Sequence, residues 1–322
     1  MNNTFRVGPD TGSSNFWVYS SKCKAGPCTR HPQYDSGASS SYHENGSLFD
    51  IRYGLDRDGI AGFMSQDILR LGEHSILYQD FAEATVATGA GPAYWKMDGV
   101  FGLGFAAAAV NMAVPPFYNM IDQGLTEPVF SFYFADVDAE EDEGEVIFGG
   151  VNHDRYDGDL TTLPIREKPT WETTFTSITL GIWTTELTDT GAAIDTGTEM
   201  IILPSNVSTQ LNQQIGARLQ ADGHYYIACS TRKRLPDVTF ELAGHDFSLG
   251  PEDYLLESGD SCISAFFGED YPPPGGPFAV LGTVFLRKWY SVFDIDARTI
   301  SFARARRSGR CPAHRFTLND VF

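Results

Sequence analysis

No apolar run in this sequence approaches the roughly 20 residues that a membrane-spanning helix needs, which argues against a helical membrane span. Positive charge is scarce as well. The 322 residues carry 23 Lys and Arg against 42 Asp and Glu, a formal net charge of −19. A surface so negative repels phosphate, so nucleic acid is excluded as the main partner. Such a chain sheds charge as pH falls, which suits work in acid. The opening Met1-Asn2-Asn3-Thr4 lacks the basic start and apolar stretch of a secretory leader. A leader is therefore expected to have been removed or to lie upstream.

Cysteine is sparse too, and its spacing excludes most metal sites. Cys23 and Cys28 enclose Gly26-Pro27, a turn that can bring their sulfurs together. Cys229 and Cys262 lie 33 residues apart, and Cys311 is left over near the end. The first pair has no matching Cys or His pair to complete a zinc site, and His31 alone does not supply one. Disulfides are expected ahead of metal ligation or free thiols, and they imply an oxidising compartment. Glycosylation sequons at Asn2, Asn45 and Asn206 point the same way, towards the secretory pathway.

What the chain has in quantity is turn formers and aromatics: 32 Gly and 17 Pro beside 23 Phe and 14 Tyr, the texture of a mainly β protein with many short strands. The length suggests two domains. Strands are predicted near Phe49–Tyr53, Glu145–Phe148, Thr174–Leu180, Met200–Leu203, Val238–Leu242 and Thr299–Phe302. Helices are predicted from about Pro115 to Gln123, from about Asn206 to Leu219 with Ser205 as N-cap, and after Gly282 with Thr283 as N-cap. The acidic stretch 136–144 reads as a solvated loop, since it lacks a calcium-loop pattern. The predicted division is 1–152, 153–303 and a basic tail over 304–322.

The strongest signal is a repeat. Asp10-Thr11-Gly12-Ser13 recurs as Asp195-Thr196-Gly197-Thr198, and each is followed by an apolar-apolar-Gly element. Val100-Phe101-Gly102 ends 92 residues after Asp10, and Val280-Leu281-Gly282 ends 87 residues after Asp195. One Asp-Thr-Gly is usually just a turn. Two copies with the same companion in the same order argue for two lobes related by a pseudo-twofold axis, with their Asp loops face to face. Two carboxylates in contact cannot both ionise, so one holds a proton while its partner takes one from a water. The glycines bring backbone N–H groups close to the carboxylates. Ser13 and Thr198 are placed to bond the outer carboxylate oxygens, and Thr11 and Thr196 to tie the loops together.

On these residues the chain resembles the pepsin-like aspartic endopeptidases. The stretch Asp10–Val18 is close to the family's first active-site signature, and Ala193–Thr198 to its second. The cysteine pairs match the family's disulfide spacings. Pro115–Leu125 and Phe285–Val292 look most like its fungal vacuolar members, which favours the vacuole as location. The resemblance covers about residues 5–303. It implies a bilobed β fold with the active-site cleft between the lobes, and neither cofactor nor metal; a monomer is expected because no extra hydrophobic surface stands out in the sequence. Protein and peptide substrates and pepstatin-type inhibitors would lie extended in the cleft, with hydrophobic residues around the scissile bond. Phe49–Gly54 matches the family's flap hairpin, so Tyr53 should be the flap tyrosine, bonded to the Trp17 indole, with Gly54 beside it; Val100 and Met97 are expected either to line the apolar pocket or to fill the core of the lobe.

Departures from the family pattern raise alternatives. Gly8-Pro9 stands where bulky apolar residues normally lead into the catalytic Asp, so Asp10 is expected to be poorly supported. Leu55-Asp56-Arg57-Asp58 makes the flap tip more charged, Glu199 adds a carboxylate beside the cleft, and Thr283 replaces an Asp. A catalytically impaired peptide-binding protein of the same fold is the main alternative. A two-carboxylate glycosidase explains the paired acids but not the repeated hydroxyls.

Overall fold

The computed structural model describes residues 4–24, 26–54, 58–135, 144–166, 169–271 and 278–306. The Asn2 sequon, residues 136–143 of the acidic stretch, Leu55–Arg57 and Cys311 with the rest of 307–322 lie outside them. The chain forms two compact units, the first reaching Glu127 and the second starting at Pro128. The fold is mainly β, as the composition predicted.

The first unit is built on β1 (Val7–Asp10), β2 (Phe16–Tyr19), β3 (His43–Tyr53), β4 (Asp58–Leu71), β5 (His74–Thr88) and β6 (Gly99–Gly102), in the sheet order β1-β6-β2-β5-β4-β3. Alternation along β4 and β5 turns Ile60, Met64, Ala82 and Ala84 inward, onto Trp17, Tyr19, Phe49 and Val100. Burying a large apolar side chain stabilises by about 1.5–3 kcal/mol, so this cluster is what sets the sheet's register. Helix α1 (Pro116–Asp122) starts with proline in its first turn and gives way to Gly124 at φ +68°, as predicted.

The second unit begins with β7 (Val129–Tyr133), β8 (Glu145–Phe148) and β9 (Tyr156–Pro164), then β10 (Glu172–Leu180), β11 (Trp183–Ile194) and β12 (Ile201–Leu203). After α2 (Ser205–Ile215) come β13 (Arg218–Leu219), β14 (Tyr225–Ile227), β15 (Val238–Leu242) and β16 (His245–Leu249). The short α3 (Pro251–Tyr254) leads to β17 (Leu255–Ser258), β18 (Ser261–Ser264), β19 (Phe266–Gly268) and β20 (Phe278–Leu281). Then follow α4 (Thr283–Leu286), β21 (Trp289–Asp294) and β22 (Thr299–Ala305). The sheet β16-β15-β10-β11-β20-β12-β19 carries the second Asp-Thr-Gly, and its core is aromatic, with Phe240 edge-on to Phe285.

Three local predictions need correction. Pro204, not Ser205, precedes the first turn of α2, and the helix stops at Gly216, whose φ of +80° Gly tolerates best. Gly282 occupies the N-cap of α4, so Thr283 is that helix's first residue. Arg304 and Ala305 belong to β22, paired with Asp157 and Tyr156, and Arg306 bonds Asp157 at 2.8 Å.

Candidate active site

Each Asp-Thr-Gly lies where a strand ends and the chain crosses over a neighbour. In the first unit β1 runs parallel to β6, with Asp10 opposite Gly102; the chain then turns and returns as β2 on the other side of β6, antiparallel to it. In the second unit β11 runs parallel to β20, with Ile194 opposite Leu281, and the chain returns as antiparallel β12. The crossing leaves no room for a side chain on the strand beneath. A Cβ on Gly102 would come within 2.4 Å of the Ser14 carbonyl carbon, and one on Gly282 within 2.4 Å of the Thr198 carbonyl oxygen. That is the physical reason for the glycine closing each apolar-apolar-Gly element.

The two loops match bond for bond. Gly12 N–H donates to Asp10 Oδ1 and Gly197 N–H to Asp195 Oδ1, both at 2.8 Å. Ser13 Oγ donates to Asp10 Oδ2 at 2.5 Å, and Thr198 Oγ1 to Asp195 Oδ2 at 2.7 Å. Gly102 N–H reaches the Asn15 carbonyl at 3.1 Å, and Gly282 N–H the Met200 carbonyl at 3.2 Å. Each carboxylate thus has both oxygens held by its own loop, which fixes its plane. Thr11 and Thr196 are both buried.

With this geometry stand the comparisons. The chain matches the family described as Eukaryotic aspartyl protease over residues 1–305. It is 50% identical to the Vacuolar protease A of Aspergillus fumigatus over 303 residues, covering 94% of this chain and 76% of the relative. It is 46% identical over 301 residues to the Vacuolar aspartic protease of Candida albicans (93% and 71%) and 36% identical over 318 residues to the Cathepsin D of Rattus norvegicus (94% and 77%). The chain belongs to the eukaryotic aspartyl proteases.

In this protease the Gly8-Pro9 segment does not loosen Asp10, contrary to the sequence expectation. Because β1 is an edge strand, the N–H that Pro9 lacks is not missed within the sheet. Asp98, immediately before β6, fastens the other end: its Oδ2 accepts the Arg6 N–H at 2.7 Å and its N–H donates to the Arg6 carbonyl at 2.6 Å. His31, considered above only as a zinc ligand, pairs with Asp98 through Nδ1 at 3.0 Å. The Tyr19 ring stacks on it, centroids 5.0 Å apart. Burial, then the Asp98 charge, pushes the Tyr19 hydroxyl up to about 12. Sequence reasoning missed Asp98; its position just before the Gly-Val-Phe-Gly element was the available signal.

Tyr53, the last residue of β3, accepts the Trp17 indole N–H on its hydroxyl at 2.8 Å, as the resemblance implied. Burial, and then the Asp10 carboxylate, raises its pKa. Gly54 follows at φ +55°. Val100 is buried beside Trp17, with Met97 packed against the same cluster, so both have core contacts. Asp58 is turned inward rather than out on a charged tip. Glu199 faces Arg287 at 3.9 Å, so its charge has a counterion. Cys23–Cys28 and Cys229–Cys262 are both disulfides. Asn45 and Asn206 are exposed, Asn206 on the first turn of α2.

Proposed function

We propose that this protease cleaves peptide bonds inside proteins in acid, with Asp10 and Asp195 acting as a pair on one water. The observation that supports the reading is the duplicated loop, which binds both carboxylates with the same donors at the same positions. Like charges brought together share one proton, the behaviour for which aspartic proteases are the reference case. The ionised Asp takes a proton from the water as its oxygen attacks the peptide carbonyl carbon. The protonated Asp donates to the carbonyl oxygen, giving a neutral tetrahedral diol. Collapse breaks the C–N bond, the nitrogen takes a proton, and a free acid and amine leave. No group outside the chain takes part besides water.

In this scheme Gly12, Ser13, Gly197 and Thr198 orient the carboxylates, and Thr11 and Thr196 brace the two loops. Tyr53 and Gly54 cover the extended substrate, Trp17 holds Tyr53, and Val100 contributes to an apolar subsite. Pepstatin-type peptides would compete with substrate for the same site. The protein works in the vacuolar lumen, a reading supported by its two disulfides and by the names of its fungal relatives, as a monomer with glycans on Asn45 and Asn206. The test is cleavage of an unfolded protein between pH 3 and 7 by the wild type, Asp10→Asn and Asp195→Asn. Pepstatin-sensitive cleavage at the acid end, lost at least about a thousandfold in each variant, is the expected result. Cleavage retained by either folded variant overturns the pairing.

A further inference from the structure

One buried carboxylate in the first unit takes no part in this chemistry. Asp58 is 8% exposed, opens β4, and is the cross-strand partner of Tyr53. Its Oδ1 accepts the backbone N–H of Gly91 at 3.0 Å, a buried bond between residues 33 apart. Gly91 opens the 3-10 turn Gly91–Ala93. A Cβ at this position would lie 2.3 Å from Asp58 Oδ2 and 3.1 Å from the Trp95 indole nitrogen. Only glycine admits the carboxylate here.

The same rung is held from the other strand. The Tyr53 hydroxyl takes the Trp17 N–H, and Trp95 packs edge-on against the Tyr53 ring at 5.9 Å. Each strand of the hairpin is therefore fastened to the unit, β3 to β2 and Trp95 through Tyr53, and β4 to the turn at Gly91 through Asp58.

We infer that Asp58 is a positioning residue: its bond to the Gly91 N–H locks the Tyr53–Asp58 rung and so holds Tyr53 in place for substrate. The role in substrate binding rests on the flap reading given above; the lock itself does not. Leaving the buried Gly91 N–H without its acceptor shifts a local opening equilibrium roughly tenfold.

The experiment uses the full chain and two readouts, amide exchange of the peptides covering 49–54 and 58–62, and KM with kcat on a peptide substrate. Asp58→Ala removes the acceptor, Gly91→Ala expels the carboxylate from the opposite side, and Asp58→Asn keeps an acceptor oxygen. The expected result is about tenfold faster exchange at the rung in Asp58→Ala and Gly91→Ala, with KM raised severalfold and kcat unchanged. Asp58→Asn should stay near wild type. Exchange in β21 serves as the control, and faster exchange there as well would mean general destabilisation and overturn the assignment. So would unchanged exchange in Asp58→Ala, or an Asp58→Asn as fast as Asp58→Ala. Faster exchange at the rung with KM unchanged would uphold the lock and overturn the flap reading instead.

Discussion

Hydroxyl groups help to hold two acids of the first unit in place, Asp10 through Ser13 and Asp67 through Tyr34 and Ser41. Asp67 accepts Tyr34 Oη at 2.5 Å, Ser41 Oγ at 2.6 Å and the Ile68 N–H at 2.7 Å. Burial alone would raise its pKa, but these donors, with Ser39, outweigh burial and hold it below the ordinary value. A carboxyl depressed in the folded state adds stability above its unfolded pKa and loses it as pH falls through the folded one. Asp67→Asn is therefore expected to melt lower than wild type at pH 5–6, with the gap closing as pH drops below about 4; calorimetry across that range checks it. An unchanged gap down to pH 2 would show that ionisation is not the cause. Nothing in the sequence marked Asp67, because its hydroxyl donors lie 26 and 33 residues away, in the stretch from Tyr34 to Ser41, and only folding brings them to it. Asp10 and Asp195 were legible for the opposite reason: glycine and hydroxyl donors sit two and three residues away in the chain, and the pattern occurs twice.

At the scale of elements, the unit that matters is a central strand flanked on both sides by the chain that carries the acid. Its sequence signature is a single glycine, at 102 and at 282, whose backbone lies under the crossing loop. Gly282→Ala places a Cβ within 2.4, 2.5 and 2.8 Å of the carbonyl oxygens of Thr198, Met200 and Glu199. Backbone cannot yield as a side chain can, so this change is expected to cost about 3 kcal/mol in denaturant unfolding and to misplace Asp195. Gly54→Ala, where no atom lies within 4 Å of the added Cβ, lacks that clash and serves as a comparison dominated by its positive φ. Equal losses at the two positions would sink the crossing argument. Two short strands bounded by turns were fully legible: Val238–Leu242 and Glu145–Phe148 were predicted to the residue. The 14 residues of β4 and 15 of β5 were not, since bulges at Ala61/Gly62 and Asp67/Leu69 break the alternation that reveals a strand. Gly8-Pro9 misled for a related reason, because edge position, which excuses proline, is a property of the sheet and not of the segment.

For the molecule as a whole, the two disulfides differ in what they restrain. Cys23–Cys28 closes a short turn, whereas Cys229–Cys262 spans a separation of 33 residues. By the chain-entropy account, replacing both Cys229 and Cys262 by serine should lower the unfolding free energy by about 3–4 kcal/mol, against about 2 for the first pair. Urea titrations at acid pH would show the order, and the reverse order would put native packing around Cys23 above loop length. Within that larger loop the exposed Lys233 and Arg234 follow the half-buried Arg232, which bonds Glu257 and the Leu255 carbonyl. A nick after either exposed base leaves both pieces tethered by sulfur and pinned by the sheet. Electrophoresis without reductant would then show one band at full mass for a chain already in two parts, so the integrity of any preparation has to be judged on a reduced gel.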